Sequence, residues 1–599
     1  MKNISFSCIN FDKGFCKSKQ DMLKKTTVGA VYNRFSDTFR FDALRCQPTE
    51  QYTPHIYWDS DIAKWIEGAC YLLMKENDPE LLKKVEDAVD DIITNSDENG
   101  YFNSHYLVVE QENRFKIRNS HELYCAGHLI EAAIAHRDAT GNDRFLKAMC
   151  KYADYIEKVF KIEKSAAFIT PGHPEIELAL VRLYMATGEK RYFELAEYFI
   201  DEHGKNGEWL TETTAPKYNQ DEMPLKDRET IDGHCVRALY LYCAAADVAF
   251  LRGDKELADA CKRIFDNLVN KRMYITGASG STRNGEAYTA DYHLPNRTAY
   301  AETCASYALM LFGSRMFNIE HNSKYADAVE RAFYNGFLSG VSLDGKAFFY
   351  ENPLEMDPDE NKVFTATKRI PRFAITQRIE VFSCSCCPPN VVRLLASLGN
   401  YMYSYDDDVL YVHQYANSVM KCDGMTVKQR TEYPKNGSVK LKFNTNGRKL
   451  ALRIPGWCRN FNIDCGYVLE NGYAVISDSC SSVNVEFDMP VTPIRANRRV
   501  HDNSGRIAFM RGPVVYCAEG IDNGKDLRNI RVDIRSAFEL KESDFLLPTL
   551  HTTAYQQPES DELYSVAEYN WVETPLTLIP YYAFANRGES EMLVWILEK

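Results

Sequence analysis

The sequence predicts a multidomain α + β protein: an (α/α)6 barrel followed by two β-sandwich domains. Three observations predict it. A helical-hairpin grammar recurs up to about residue 402, short alternating runs replace it from about residue 404, and a second β-rich stretch opens near residue 504. At 599 residues the chain is too long for one core. The expected limits are 1–402 for the barrel, whose first residues are free to join a sandwich, 403–503 for the first sandwich and 504–599 for the second.

The first pair begins with "DSDIAKWIEGACYLL", where Ile62, Trp65, Ile66, Ala69 and Leu72 keep helical spacing and give an amphipathic helix. "DPELLKKVEDAVDDII" returns, with Asp78 as N-cap and Pro79 at the first helical position. Three further pairs open at Gly127, Gly172 and Gly233, each with Gly-His, an apolar helix, a glycine turn and a charged return. A fifth runs from "ETCASYALMLFGSRMF" to "KYADAVERAFYNGFL", and a sixth starts after Pro389 with "NVVRLLASLGNYMY". Hairpins of this kind stack into an α/α array. The β-half begins with "VLYVHQY", "SVKLKFNT", "KLALRIP", "YAVIS" and "SVNVEFDM", divided by turn residues, and continues through "GRIAFMRGPVVYC".

Net charge is −13, which argues against nucleic acid or an anionic membrane as partner and suits a neutral small oligosaccharide or glycoside. The N-terminus lacks an apolar signal core, and no stretch reaches the roughly 18 apolar residues of a membrane span. The expected location is cytoplasmic, where the 18 cysteines stay reduced. Disulfides are therefore not expected, which leaves metal binding or catalysis for "FSCSCCPPN". A homodimer stays open as the assembly.

In an α/α barrel the inner helices run the same way and their N-termini share one rim. The residues expected there are His128, His173, His234, Glu302 with Cys304, and Cys386 with Cys387. Each histidine also reads as a cap or a core residue. Thiolates with one carboxylate suit Zn²⁺, and Cys384 is an alternative ligand. Four protein ligands also fit a closed structural zinc, so both readings stand at this point. Pro388 biases Cys387 toward an extended backbone, which marks Cys387 as the rigid ligand and Cys386 as the freer one. Glu286 lies in the polar loop "GSTRNGEAYTADYHLPN", just ahead of the Glu302 helix.

The stretches "DSDIAKW", "HELYCAGHLIEA", "GHPEIELAL", "GSTRNGEAYT", "AYAETCAS" and "CSCCPPN", with "LRIPGWC" and "AFMRGPVVY" in the β-half, together resemble the β-L-arabinofuranosidases of glycoside hydrolase family 127. The resemblance implies an (α/α)6 catalytic barrel with β-sandwiches behind it. It implies zinc held by Glu302, Cys304, Cys386 and Cys387, with Cys386 as nucleophile and Glu286 as acid/base. It places His128, His173, His234 and Tyr350 in the sugar pocket. The implied chemistry is retaining hydrolysis of a β-L-arabinofuranoside, with a thiolate in place of one carboxylate of the usual pair. The same mechanism on another plant-polysaccharide sugar, a non-catalytic carbohydrate-binding protein with structural zinc, and a sugar epimerase are the competing readings. The epimerase has no need of the cysteine cluster.

Overall fold

The computed structural model describes all residues except 206–215, 363–372, 478, 559–561, 565 and 567–569. Helices fill the N-terminal part in pairs: α1 (Trp58–Leu73) with α2 (Pro79–Asn95), α3 (Glu122–Thr140) with α4 (Arg144–Glu157), α5 (Ile176–Thr187) with α6 (Lys190–Glu202), α7 (Cys235–Arg252) with α8 (Lys255–Asn267), and α9 (Thr303–Ile319) with α10 (Ser323–Arg331). The last inner helix is α11 (Cys387–Ala396). Each odd-numbered helix packs on the next, and α11 packs back on α1, so the six close a circuit. Gly141, Gly188 and Gly253 end α3, α5 and α7 in the left-handed conformation, as the glycine turns predict. Asp78 caps α2 by accepting from the Leu81 amide, with Pro79 at its first position.

The sequence signal differs between the two layers. The outer helix α8 is amphipathic and buries Leu257, Ala260, Cys261, Ile264 and Phe265 on one face. The inner helices are buried nearly all round. In α1 the polar Asp59, Ser60, Asp61, Lys64 and Glu67 are as buried as the apolar stripe, so the amphipathic reading of α1 is corrected: its polar face points into the protein, not to water. The sixth pair also differs from expectation. The outer partners of α11 are supplied by the helical run Gly14–Met22, Leu23–Thr27 and Val28–Asp37 at the start of the chain. Gln20 Nε2 donates to the Leu395 carbonyl at 3.0 Å.

Two six-stranded sheets follow. One runs Lys2–Asn3, Tyr403–Tyr405, Val409–Val412, Lys449–Arg453, Tyr473–Ile476, Tyr467–Glu470. The other runs Phe461–Ile463, Ser482–Phe487, Ser438–Asn444, Met425–Thr431, Ser418–Cys422, Ile9–Phe11. The chain's first strands thus form one edge of each sheet. The alternation that announces these strands is the pleat itself: Ser482–Phe487 reads exposed-buried along its length. Among the described residues, the second β-rich part does not divide into two separate sheets. Ten strands share one hydrogen-bonded network, because Arg506–Arg511 pairs with Val491–Ile494, Val514–Glu519 and Ile596–Glu598. That sheet recruits Glu355–Met356 from the helical part. Tyr581 of the same C-terminal part donates to the Asn352 and Pro353 carbonyls at 3.0 and 2.9 Å, and so braces the segment that carries Tyr350.

Among the described residues, no helix is long and apolar enough to cross a membrane.

Candidate active site

The N-termini of the inner helices gather the polar residues. His234 caps α7: its Nδ1 accepts from the Val236 and Arg237 amides at 3.2 and 3.4 Å. His173 stands three residues ahead of α5, and its Nδ1 lies 3.0 Å from the Pro174 carbonyl. The third histidine at this level is His121, not His128. Helix α3 begins at Glu122, with His121 at its N-cap position in the left-handed conformation (φ 63°). The rings of His121, His173 and His234 follow one another at centroid separations of 5.7 and 5.6 Å. His128 lies nearly two turns into α3 and is fully buried. Gly127 opens nothing; it admits the close passage of α5, because a Cβ there would meet Glu175 Cγ at 2.7 Å. The expectation of a helix start at Gly127-His128 is corrected on this ground.

Burial, then the charges of Arg237 and His234, push His121 and His173 well below the ordinary imidazole value. Burial lowers His234 despite the opposing pull of Glu286. Neutral imidazoles offer one donor and one acceptor each, which suits hydroxyl groups. His121 Nδ1 has no hydrogen-bond partner among the described residues.

Glu302 and Cys304 start α9, and Cys386 and Cys387 start α11. One ligand atom from each of the four lies within 4.8 Å of all the others. The Sγ–Sγ separations are 3.2 Å (Cys304–Cys387), 3.4 Å (Cys304–Cys386) and 3.8 Å (Cys386–Cys387), and Cys386 Sγ is 3.6 Å from Glu302 Oε1. A tetrahedral ion with metal–sulfur bonds of about 2.3 Å spaces its sulfurs at roughly 3.8 Å, so the quartet fits a zinc-sized ion with little movement. Burial and the neighbouring Cys386 push the Glu302 carboxyl well above its usual range. Burial resists ionisation of Cys304, but hydrogen bonds from Cys386 and Cys387 outweigh it and bring that thiol to about 7. Four acidic groups in one buried cluster cannot all ionise without a cation. Cys304 and Cys387 are buried, whereas Cys386 is partly exposed.

The proline pair does not hold Cys387 in an extended backbone, contrary to expectation. Cys387 is the first residue of α11 and Cys386 is itself helical (φ −66°, ψ −29°). Pro388 and Pro389 occupy the first turn, where a missing N–H costs nothing. Asn390 follows and donates to Cys304 Sγ at 3.1 Å. Cys384 stands outside the quartet. Its Sγ is 3.8 Å from the Tyr350 hydroxyl, and a hydrogen bond to Cys386 together with burial holds its pKa well above the usual thiol range. The Tyr350 hydroxyl is 3.4 Å from Cys386 Sγ.

Glu286 follows Gly285 in a tight turn, with φ values of 52° and 71°. Arg283 anchors this turn by ion pairing with Glu351, next to Tyr350. Glu286 Oε2 lies 2.7 Å from His234 Nε2. Because His234 Nδ1 accepts from backbone amides, Nε2 carries the proton and donates it to Glu286. Burial raises the Glu286 pKa, but His234, Tyr300 and Arg237 together lower it below the ordinary carboxyl value. The Tyr300 ring lies 6.0 Å from that of Tyr350.

Beneath this level lies a second buried group: His128, Glu131 and Glu175, with His128 Nδ1 3.0 Å from Glu175 Oε1. Arg393 donates to Glu67 and Glu131 at 2.8 and 2.9 Å, and Arg182 pairs with both. Burial opposes ionisation of Glu131, but Arg182 and Arg393 hold it down to about 2. Burial and the charge of Glu131 push Glu175 well above its usual range, so Glu175 is the neutral member of the pair. An acid whose folded pKa is raised contributes stability below its unfolded pKa of about 4.3, and that stability is lost as pH rises. Glu175→Gln keeps a donor toward Glu131 without that loss. Its thermal midpoint is expected to match wild type near pH 4 and to exceed it increasingly toward pH 8, by about 1.4 kcal/mol per pH unit at most. Destabilisation that grows with pH would show that Glu175 is the ionised member.

The profile of the family described as "Beta-L-arabinofuranosidase, GH127 catalytic domain" matches residues 9–400, the middle-domain profile matches 409–489 and the C-terminal-domain profile matches 491–597. A non-reducing end β-L-arabinofuranosidase of Bifidobacterium longum subsp. longum is 37% identical, covering 90% of this chain and 89% of its own. The crystal structure of a GH127 β-L-arabinofuranosidase from Geobacillus stearothermophilus T6 superposes with a TM-score of 0.93 at 39% identity, covering 99% of this chain and 100% of that one. A second GH127 β-arabinofuranosidase gives a TM-score of 0.87 at 32% identity, covering 100% and 98%.

Proposed function

The chain belongs to glycoside hydrolase family 127 and is a glycoside hydrolase, and from that premise we propose that it releases L-arabinofuranose from β-L-arabinofuranosides with retention of configuration. The observation that carries the reading is the convergence of three thiols and a carboxylate within 4.8 Å, beside the Glu286–His234 pair. The scaffold in this reading is an (α/α)6 barrel over 1–402 with β domains at 403–503 and 504–599, except that strands Lys2–Asn3 and Ile9–Phe11 join the first and strand Val491–Ile494, paired with Arg506–Arg511, goes with the second. Cysteine usage accords with a cytoplasmic enzyme.

Glu302, Cys304, Cys386 and Cys387 hold zinc in this proposal. Bound there, the ion keeps a coordinated thiol ionised at neutral pH. Cys386 is the nucleophile because, of the three thiols in the quartet, it is the one partly open to solvent, with the Tyr350 hydroxyl steadying its sulfur. Sγ bonds to the anomeric carbon as the bond to the leaving oxygen breaks, and Glu286 gives that oxygen its proton. Glu286, now a carboxylate held by His234, takes a proton from water; the water oxygen bonds to the anomeric carbon and the Cys386 thiolate leaves. Two displacements retain configuration. His121, His173 and His234 bind the sugar hydroxyls. His128 acts from below by backing this layer: its ring packs edge-on against Tyr124, whose ring also lies against His121 and His173.

The test is hydrolysis of an aryl β-L-arabinofuranoside against a panel of other aryl glycosides, with the first-formed anomer read by NMR. Purified protein should carry about one zinc, and Cys304→Ser should lose metal and stability together. Sugar binding without turnover would support the non-catalytic alternative, and preference for another sugar would replace the substrate. Full activity in correctly folded, metal-free protein would remove zinc from the mechanism.

A further inference from the structure

The "DSD" stretch that opens α1 takes no part in the chemistry above, yet its carboxylates are buried. Asp59 is accounted for: it accepts from the Ser104 amide at 2.8 Å. Asp61 instead receives Arg40, whose Nε lies 3.0 Å from Asp61 Oδ2. Arg40 is only 2% exposed. Its guanidinium sits 5.1 and 5.2 Å from the Phe35 and Trp58 ring centroids. Nη1 donates to Thr38 Oγ1 at 2.6 Å, and Nη2 donates to the Phe382 and Ser383 carbonyls at 3.2 and 3.0 Å. Phe39, just before it, adopts φ 63°, a strained conformation for a bulky side chain, in the turn that leads into Arg40.

Those two carbonyls belong to the stretch that leads into Cys384 and Cys386. It has no helix or strand of its own, so side-chain anchors decide where it lies. Ser385 Oγ folds it by accepting from the Phe382 amide at 2.9 Å and donating to its carbonyl at 2.7 Å. Arg40 ties that fold to the wall of α1. A planar fork of donors can serve Asp61 and two backbone carbonyls together; a lysine ammonium has neither the reach nor the geometry.

We infer that Arg40, oriented by Asp61, is a positioning residue for the Cys386 sulfur. It fixes the 382–383 backbone so that the Cys386 thiol keeps its line to Tyr350. The inference rests on the reading of Cys386 as nucleophile.

The experiment compares wild type with Arg40→Lys and Arg40→Ala, each checked for folding by circular dichroism and for zinc content. On an aryl β-L-arabinofuranoside, kcat is expected to fall on the order of 10–100-fold, with KM changed less than about threefold, because misplacement of a reacting atom is felt in the chemical step. Methylguanidinium added to Arg40→Ala should restore part of kcat and leave Arg40→Lys unchanged. Independently of turnover, iodoacetamide labelling located by peptide mass spectrometry should show the Cys386 share of modification falling relative to Cys384 in both variants. A labelling pattern identical to wild type in a folded variant overturns the inference. So does kcat within twofold of wild type, or failure of both variants to fold, which would assign Arg40 to stability alone. Absence of turnover in wild type with an altered labelling pattern in the variants would sink the functional reading and leave the positioning role standing.

Discussion

Cys386→Ala should abolish hydrolysis of β-L-arabinofuranosides, with kcat falling on the order of 10⁴–10⁶-fold, as for other enzymes stripped of their nucleophile. The size follows from the site. The neighbouring thiols cannot substitute: Cys304 and Cys387 are buried, and Cys384 is held protonated by its hydrogen bond to Cys386 and by burial. Substrate binding should survive in the variant, since the three rim histidines and Tyr350 are untouched. A mechanism-based arabinofuranoside inhibitor, followed by peptide mass spectrometry, should place its added mass on Cys386 in the wild type. A label on Cys384 or on a carboxylate, or wild-type turnover in Cys386→Ser, would move the nucleophile elsewhere.

Glu286→Gln comes second, with an expected loss of about 10²–10⁴-fold on substrates with poor leaving groups. The loss should shrink with activated aryl leaving groups, whose oxygen needs no proton, and azide should speed the second step by attacking in place of water. His234, Tyr300 and Arg237 hold the Glu286 carboxyl below its ordinary value against the pull of burial, which favours the base half of the cycle. The acid half needs the proton on. Wild-type kcat/KM on an alkyl glycoside is therefore expected to rise as pH falls toward the acid side, until the proposed metal ligands protonate. The Gln variant should lack that rise. Equal small losses on all substrates would point to a different acid.

The helix pairs were legible because their punctuation is local: Asp78 with Pro79, and Gly141, Gly188 and Gly253, act within a turn of where they stand. The convergence of Glu302, Cys304, Cys386 and Cys387 into one cluster that could hold a metal was legible because soft ligands at two helix starts have few other uses. His121 was not. Helix α3 is buried from Glu122 to His136, so no change of pattern marks its beginning, and Gly127 imitates a boundary when its real task is to let Glu175 pass. The available signal was the acidic Glu122 directly after His121, which suits a first turn. The outer partner of α11 was invisible for another reason. It lies more than 350 residues upstream, and periodicity carries no information about which distant segment covers a helix.

That upstream cover gives the fold an order of events in time. Lys2 and Asn3 find their strand partners at Tyr405 and Ser404, Ile9–Phe11 pairs with Ser418–Met420, and the Phe6 amide bonds Asn400 Oδ1. None of these partners exists while the first several hundred residues are being made. At roughly 5–20 residues per second, the leading segment waits about 20–80 s on the ribosome before it can dock. During that interval α1 lacks both its closing neighbour and the clamp from Arg40 to the Ser383 carbonyl. The nascent chain therefore holds an unfinished helical array with its apolar interior open to solvent until these partner strands have been made, and a chaperone that recognises such surfaces has its window there.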